Sequence, residues 1–209
     1  MRDGLEKGRA PRATALEIVG RVNKTTGKRE GGFIGLTSQQ AEYALSAREE
    51  LLSGDPKLLR HYLTRELRDK RFDRLIMKVI DGRETITAAD AAKIVGRYKD
   101  KMLKFRGDMI ARTESLTALR AGRHEGYAQL LDSGTVTEDQ IERTWDATGD
   151  KRTRLDHLAM EGQKVRGLSA PFVAPDGSQL MFPGDTSLGA PGAQTIACRC
   201  IEKVRIRYL

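Results

Sequence analysis

Cysteine, aromatic residues and long apolar runs are all scarce in this chain of 209 residues. Only two cysteines occur, Cys198 and Cys200 in the segment ACRC, and aromatic residues make up 5% of the sequence. Cysteines at i and i+2 on a strand point the same way, which is poor geometry for a mutual disulfide. A disulfide-rich secreted scaffold is therefore excluded, and a reduced, cytosolic site of assembly is favoured.

Membrane and targeting signals are also missing. No apolar run approaches the roughly 20 residues of a membrane-spanning helix, and the opening MRDGLEKGRAPRA has no signal-peptide core. The sequence contains no nucleophile elbow, HExxH, P-loop or dinucleotide fingerprint. We expect no membrane contact and no enzyme of those classes.

Charge is what the chain has in quantity. Charged residues reach 32%, hydrophobic residues only 39%, and the formal net charge is +8 with a sequence pI near 9.6. This composition fits long, partly solvated helices better than one compact apolar globule. A basic surface favours nucleic acid or an acidic protein as partner.

Periodicity and capping signals predict an α+β fold. The chain is mainly helical to about residue 132, with a capping box at Thr37 and Gln40 and one long helix that starts at Thr87. A small C-terminal α+β module follows, with a β-hairpin turn at 175–177 and a final strand. The expected regions are a basic docking arm (1–36), a helical docking region (37–107) and the module (108–209).

The arm, residues 1–36, is basic and glycine-rich and has too little apolar surface to order itself alone. This composition therefore predicts that the arm docks on DNA or on an acidic protein groove. A frayed terminus without a partner is the alternative. The residues proposed for this contact are Arg2, Lys7, Arg9, Arg12, Arg21, Lys24, Lys28 and Arg29.

The long helix carries an apolar alternation of three and four residues through Met102, Phe105, Met109, Leu116 and Leu119. That spacing is typical of a packed helical seam. The same spacing predicts an apolar residue at position 112, but the sequence has Arg112. This side chain either extends out of the seam or is directed inward to meet acids.

Residues 145–162, WDATGDKRTRLDHLAMEG, concentrate the only tryptophan, one of three histidines and several charged pairs. One hypothesis is zinc bound by His157, Cys198 and Cys200, since thiolate and imidazole are its preferred ligands. His124, His61 or Asp150 would supply a fourth ligand. In the alternative without metal, both cysteines pack as small residues at a strand edge.

A second hypothesis is a metal-dependent nuclease or related hydrolase. Asp150, Asp156, His157 and Asp185 would surround a phosphodiester, and arginines would hold its phosphates. The favoured third interpretation is a polar scaffold, in which Arg152 and Arg154 clamp carbonyls and carboxylates around Asp150 and His157, with Trp145 as anchor. On that interpretation the chain is not an enzyme and needs no cofactor.

Several motifs occur in a specific order. They are ARTE (111–114), TW with Trp145, GDKRTRLDHLAMEGQKV, a glycine-bearing hairpin, PGD (183–185) and the closing CRC. In this order they resemble the phage head morphogenesis family, the minor head proteins similar to the F protein of phage Mu. The resemblance covers about residues 108–202 and departs from the family at IACRC, where asparagine is expected before the first cysteine.

The resemblance implies a minor structural protein of a tailed-phage or prophage head that acts in head morphogenesis and in DNA packaging or ejection. Its partners would be the portal protein, the major capsid or scaffold protein, and packaged double-stranded DNA through backbone contacts. The expected location is the head interior or portal vertex, and the host cytoplasm during assembly. No toxin or transferase domain is expected after Leu209, and a free DNA-binding protein without a portal partner is a further alternative.

The resemblance also sharpens the polar network. Arg112 is the arginine of ARTE, so we hypothesise that it joins the network around Asp150 and His157. The residues assigned to this network are Arg112, Glu114, Trp145, Asp150, Arg152, Arg154, His157 and Asp185.

Overall fold

The computed structural model describes residues 8, 10–27 and 29–207, which form two units. One unit is Ala13–Asp108, and the other contains residues 109–207. The fold is α+β, as predicted, with a helical N-terminal part and small antiparallel sheets after it. Within the described ranges no helix is both long and apolar enough to cross a bilayer.

Helices dominate the first unit. A short helix and a two-stranded hairpin precede three helices, and the first part of the long helix completes the unit. The elements are α1 (Pro11–Val19), β1 (Arg21–Val22), β2 (Arg29–Glu30), α2 (Ser38–Leu52), α3 (Pro56–Thr64), a 3₁₀ turn (Lys70–Phe72), α4 (Asp73–Ile80) and α5 (Ala88–Asp132).

Local capping explains where these helices start. The Thr37 side chain accepts from the backbone N–H of Gln40, and the Gln40 side chain accepts from the N–H of Thr37, as the predicted capping box requires. Asp55 caps α3, with Pro56 in its first turn. The helix α5 starts after a similar exchange between Thr87 and Asp90. The predicted capping box and the predicted start of the long helix are confirmed.

The core of the first unit lies between α2, α3, α4 and α5. Leu51, Tyr62, Ile76 and Ile94 are fully buried there. Leu75, Val79 and Ile80 of α4 pack against this core. Beside it, Arg65 bridges Glu50 of α2 with two hydrogen bonds of 2.7 and 2.8 Å.

Residues 13–36 belong to this same unit and are not a separate arm. Ala15, Ile18 and Val19 of α1 are buried, and a Cβ placed on Gly107 of α5 would lie 2.7 Å from Val19 Cγ1. The missing side chain at Gly107 therefore lets α1 approach α5 closely. Part of the segment expected to dock on another molecule therefore packs on α5 of the same chain.

The apolar seam predicted along α5 is wrong beyond Met102. Met102 is buried, but Phe105 is 49% exposed and Leu119 is 68% exposed. The buried residues of α5 beyond Met102 are small, namely Gly107 and Ala111. The predicted alternation assumed one continuous partner, whereas α5 changes the face that it buries along its length.

The second unit contains short elements around a three-stranded sheet. Its elements are the end of α5, a 3₁₀ turn (Glu138–Gln140), β3 (Ile141–Asp146), α6 (Leu155–Ala159), β4 (Lys164–Arg166), β5 (Phe172–Val173), β6 (Gln179–Leu180), α7 (Gly192–Thr195) and β7 (Ile201–Ile206).

The sheet has the order β4-β3-β7, and both pairings are antiparallel. The central strand β3 alternates strictly, with Ile141, Arg143 and Trp145 fully buried on one face. The hairpin β5–β6 pairs Phe172 with Leu180 across the turn predicted at 175–177. Trp145, Met160, Phe172 and Leu180 share one core cluster with both cysteines.

Candidate functional site

The two cysteines and His157 meet in the interior of the second unit. His157 Nδ1 lies 3.7 Å from Cys198 Sγ and 3.4 Å from Cys200 Sγ. All three side chains are at most 2% exposed, and both thiols are free. The His157 ring stands edge-on to Trp145, with centroids 5.3 Å apart. We call His157, Cys198 and Cys200 the His–Cys cluster.

A buried glutamine, Gln194 of α7, holds the other nitrogen of His157. Gln194 Nε2 donates to carboxylate oxygens of Asp156 at 2.7 Å and Asp176 at 2.8 Å. Carboxylates only accept, so the amide orientation is set, and Gln194 Oε1 lies 2.9 Å from His157 Nε2. His157 must therefore donate from Nε2, so the lone pair of the neutral ring is on Nδ1 and faces the two sulfurs.

The backbone around the cysteines is held by the long helix. Arg120 Nη2 donates to the carbonyl of Cys198 at 3.0 Å and to that of Cys200 at 2.7 Å. The N–H of Ala197, a residue with φ of 53°, donates to Thr113 Oγ1. Thr113, Thr117 and Arg120 follow an i, i+4, i+7 spacing, so one face of α5 carries these contacts.

The two thiols influence each other's ionisation. The hydrogen bond from Cys200 and the nearby Arg120 lower the pKa of Cys198 to about 7, although burial opposes this. The hydrogen bond to Cys198 and burial raise the pKa of Cys200 to about 12. The pair thus releases one proton easily and the second only with difficulty.

Asp150 is paired with the arginine that lies between the two cysteines in the sequence. Arg199 donates two hydrogen bonds of 2.5 Å to the two oxygens of Asp150. The Arg199 hydrogen bonds, with help from the N–H of Arg152, hold the pKa of Asp150 well below its ordinary value. This ion pair fastens the loop at 147–154 to the CRC segment.

The two predicted clamp arginines differ in what they do. Arg154 donates to the carbonyl of Ile196, just before the CRC segment. The side chain of Arg152 is 77% exposed and lies 3.9 Å from Asp150. Arg154 fits the predicted clamp, whereas Arg152 contributes mainly through its backbone N–H.

The strongest arginine clamp belongs to Arg143, which the sequence prediction did not include. Its buried guanidinium donates to the carbonyls of Gly167, Leu168, Ala170 and Met181. It also pairs with Glu202 Oε1 at 3.3 Å and lies over the Phe172 ring. Burial raises the pKa of Glu202, and Arg143 opposes that rise. The predicted clamping of carbonyls and a carboxylate by arginine is therefore most extensive at Arg143.

Arg112 does not join the network, so that hypothesis is wrong. Arg112 and Glu114 are both exposed, and within the described part of the chain neither side chain makes a hydrogen bond or ion pair. The physical reason is helical phase, because Thr113, Thr117 and Arg120 occupy the face toward the CRC segment. Asp185 is buried but accepts hydrogen bonds from Met181 and Ser187 of its own loop.

The basic residues proposed for DNA or partner contact fall into three groups. Arg12, Arg21 and Lys24 are exposed. Arg29 is half-buried and bonded to the carbonyl of Gly20 and to Asp100 at 3.1 Å, so its charge is used within the unit. The remaining residues, Arg2, Lys7, Arg9 and Lys28, lie outside the described residues.

The acids proposed for a hydrolase do not converge. Asp150 pairs with Arg199, Asp156 with Gln194, and Asp185 with its own loop. Among the described residues, the group that could hold a metal contains His157, Cys198 and Cys200, without Asp150, His61 or His124. His61 instead bonds to Glu50, and His124 packs on Phe182.

Arg143 had a signal in the sequence, whereas Arg120 and Gln194 did not. Arg143 has the same strand parity as Ile141 and Trp145, which places its side chain on the buried face. Gln194 lies on a helix of four residues, too short for periodicity. Arg120 is one of many basic residues on a polar helix.

Comparisons of the chain with models of protein families, with curated proteins and with solved structures find no match.

Proposed function

We propose that this chain is a minor structural protein of a tailed-phage or prophage head, associated with the portal, that acts in head morphogenesis and DNA packaging or ejection. The observation that carries the proposal is the meeting of the motifs on which the family resemblance rests. Trp145, His157, Cys198 and Cys200 are distant in sequence but belong to one buried cluster. Such convergence supports treating them as one module.

The chemistry of this module favours a structural role over catalysis. Three of its arginines donate hydrogen bonds to carbonyl groups or carboxylates of the module itself, namely Arg120, Arg143 and Arg199. The His–Cys cluster is buried, and Asp150 is held by an ion pair. A hydrolase needs a base and a position for the nucleophile that substrate can reach. Here the candidate base is buried and the candidate carboxylate is held in an ion pair.

The basic surface supports the proposed partners. Exposed Arg12, Arg21 and Lys24 carry charge that the described structure does not neutralise by ion pairs. Such residues contact phosphates or an acidic protein surface without reading sequence. Portal protein is the first proposed partner; the major capsid or scaffold protein and packaged DNA are the others.

Co-expression with the portal protein from the same phage genome tests the proposal. We expect the chain to co-purify with portal rings, and electron microscopy of assembled particles to place it at the portal vertex or inside the head. A chain that neither enters particles nor binds portal rings would contradict the proposal. Binding to DNA alone would favour a free DNA-binding protein.

The hydrolase alternative is tested on the same protein. Duplex DNA is incubated with the chain and with Mg²⁺ or Zn²⁺, and cleavage is compared with that by a His157→Ala variant. Under the structural proposal neither protein cleaves. Cleavage that disappears in the variant would establish the hydrolase instead.

A further inference from the structure

We propose that His157 Nδ1, Cys198 Sγ and Cys200 Sγ bind a zinc ion that fastens α6 to the segment before β7. This site goes beyond the proposed function and does not depend on it. Three features of the cluster support a zinc ion: the spacing of the three atoms, the tautomer of the histidine and the hydrogen bonds that hold the surrounding residues.

The spacing of the three ligand atoms suits one tetrahedral ion. With Zn–N near 2.0–2.1 Å and Zn–S near 2.3 Å, nitrogen and sulfur ligands on one zinc lie about 3.5 Å apart. The observed separations of Nδ1 from the two sulfurs are 3.7 and 3.4 Å. All three atoms lie within 4.8 Å of one another. An ion could be held there with only small side-chain adjustments.

The hydrogen bond of His157 selects the tautomer that a metal needs. Because Gln194 Oε1 accepts from Nε2, the neutral imidazole directs the lone pair of Nδ1 at the sulfurs. Metal-binding histidines commonly have their second nitrogen held by such a partner, which sets ring orientation. Gln194 is itself held by the carboxylates of Asp156 and Asp176. That chain of contacts makes a complete outer shell around the histidine.

The cysteine side of the site is equally well supported. Arg120 bonds to the carbonyls of both cysteines, and the Arg199 side chain between them is tied to Asp150. These contacts fix the backbone that carries both thiols, so the positions of the two sulfurs are set before an ion binds. The softness of thiolate selects zinc over Mg²⁺ or Ca²⁺, which prefer oxygen ligands.

A small cavity adjoins the His–Cys cluster. His157 and Cys200 form part of its wall, together with Thr148, Arg152, Thr153, Arg154, Ala197 and Arg199. Its volume of about 10 Å³ is at the lower limit for holding one water molecule. We therefore assign the fourth ligand to a water molecule or a small anion.

Metal analysis of the full chain, expressed with zinc in the medium and purified without chelator, is the first test. We expect about one zinc per chain. Zinc removal should make the C-terminal region easier to cleave with protease, and zinc alone, but not Mg²⁺, should restore resistance. A protein that retains no zinc, and whose protease resistance zinc does not change, would overturn the proposal.

Cobalt substitution identifies the ligands. Co²⁺ in the wild-type chain should show thiolate charge-transfer bands and the strong d–d bands of tetrahedral geometry. Cys198→Ser and Cys200→Ser should each weaken the charge-transfer band, while His61→Gln, a histidine of the other unit, should leave it unchanged. If the serine variants do not fold, the titration of the wild-type chain still decides. Octahedral d–d bands without charge transfer would refute thiolate ligation.

Two further measurements test the contact of Gln194 with His157 and the fourth ligand of the zinc ion. Gln194→Ala should lower zinc affinity about 10- to 100-fold and keep the tetrahedral cobalt spectrum. Azide should shift the d–d bands, because a solvent-held position is exchangeable. Unchanged affinity in Gln194→Ala would remove the support for the assigned histidine state, and bands unmoved by azide would rule out the assigned fourth ligand.

Discussion

At the scale of single residues, a buried arginine holds the interior of the C-terminal unit together, as apolar side chains do in cores with more apolar residues. Arg143, fully buried at the centre of β3, donates to four carbonyl groups and to Glu202. A guanidinium with five donors in a fixed plane can satisfy such a set, whereas an ammonium group cannot. The C-terminal unit therefore depends on one charge that has no access to solvent.

Arg143→Met tests this dependence. We expect the free energy of unfolding to fall by about 3–5 kcal/mol, because the change leaves Glu202 and several carbonyls buried without a partner. Urea denaturation measures the loss, and Arg166→Met, at an exposed arginine of the same sheet, should stay within about 0.5 kcal/mol of wild type. Equal effects of the two changes would show that the buried contacts are unimportant.

Arg112 and Arg120 form a second residue-scale comparison on one helix. Arg120→Ala should cost about 1–3 kcal/mol, since two carbonyls near the cysteines lose their donor. Arg112→Ala should be nearly neutral, and its double-mutant cycles with Asp150 or His157 should show coupling below about 0.5 kcal/mol. Coupling well above that value would place Arg112 in the network after all.

At the scale of elements, the sequence predicts best what is decided locally. The caps at Thr37 and Thr87 depend on neighbouring residues, so the predicted starts of α2 and α5 are confirmed. The face that α5 buries depends on what packs against it, and its polar sequence does not show this. The same limit explains why Arg112 was predicted to face inward in place of Arg120.

Gly107 is the clearest case of packing between elements. In an exposed helix Gly→Ala stabilises by roughly 0.5–1 kcal/mol, and we expect this for Gly96→Ala, whose new Cβ meets nothing within 4 Å. Gly107→Ala should instead destabilise by about 1–3 kcal/mol, because its Cβ would collide with Val19 of α1. Thermal unfolding separates the two, and Val19→Ala should partly rescue the Gly107 variant. A stabilising Gly107→Ala would mean that α1 does not pack closely there.

The ion pair of Glu50 and Arg65, which joins α2 to the residue after α3, makes stability depend on pH. Burial raises the pKa of Glu50, but hydrogen bonds from Arg65 and His61 outweigh it, so the pKa lies below its ordinary value of 4.5. A lowered pKa means that this stability is present above pH 4.5 and is lost as the pH falls through the folded-state value.

Glu50→Gln should cost roughly 3 kcal/mol at neutral pH, because Arg65 loses its buried partner. Its stability should then fall less steeply on acidification than that of wild type. Denaturation midpoints between pH 7 and pH 3 provide the comparison, with exposed Glu49→Gln as control. Parallel pH profiles for Glu50→Gln and wild type would contradict the assignment.

At the scale of the whole molecule, periodicity, capping and turn signals predicted the fold class but not the site. They indicated helices followed by a small α+β module, and the structure has both. The cluster of His157, Cys198 and Cys200 was one of several hypotheses, because residues about 40 positions apart meet only through tertiary folding. Gln194, which decides the state of His157, could not be found from local patterns.

The net charge of +8 predicts salt-dependent association with duplex DNA. Arg21→Gln with Lys24→Gln should weaken binding and reduce the slope of log affinity against log salt by up to about 2. Lys57→Gln with Lys151→Gln removes the same charge from exposed positions elsewhere and should reduce the slope less. Fluorescence anisotropy at several salt concentrations measures both. Equal slopes in the two variants would mean that the N-terminal basic residues have no special role.

The buried position of Arg143 also has a consequence for the order in which the C-terminal unit can form. Its partners lie between 24 and 59 residues further along the chain, and Glu202 is the last of them. Contacts of such long sequence separation form slowly, since loop closure precedes any gain. During synthesis, β3 emerges long before Glu202. The nascent unit therefore cannot complete its interior until Glu202 has left the ribosome.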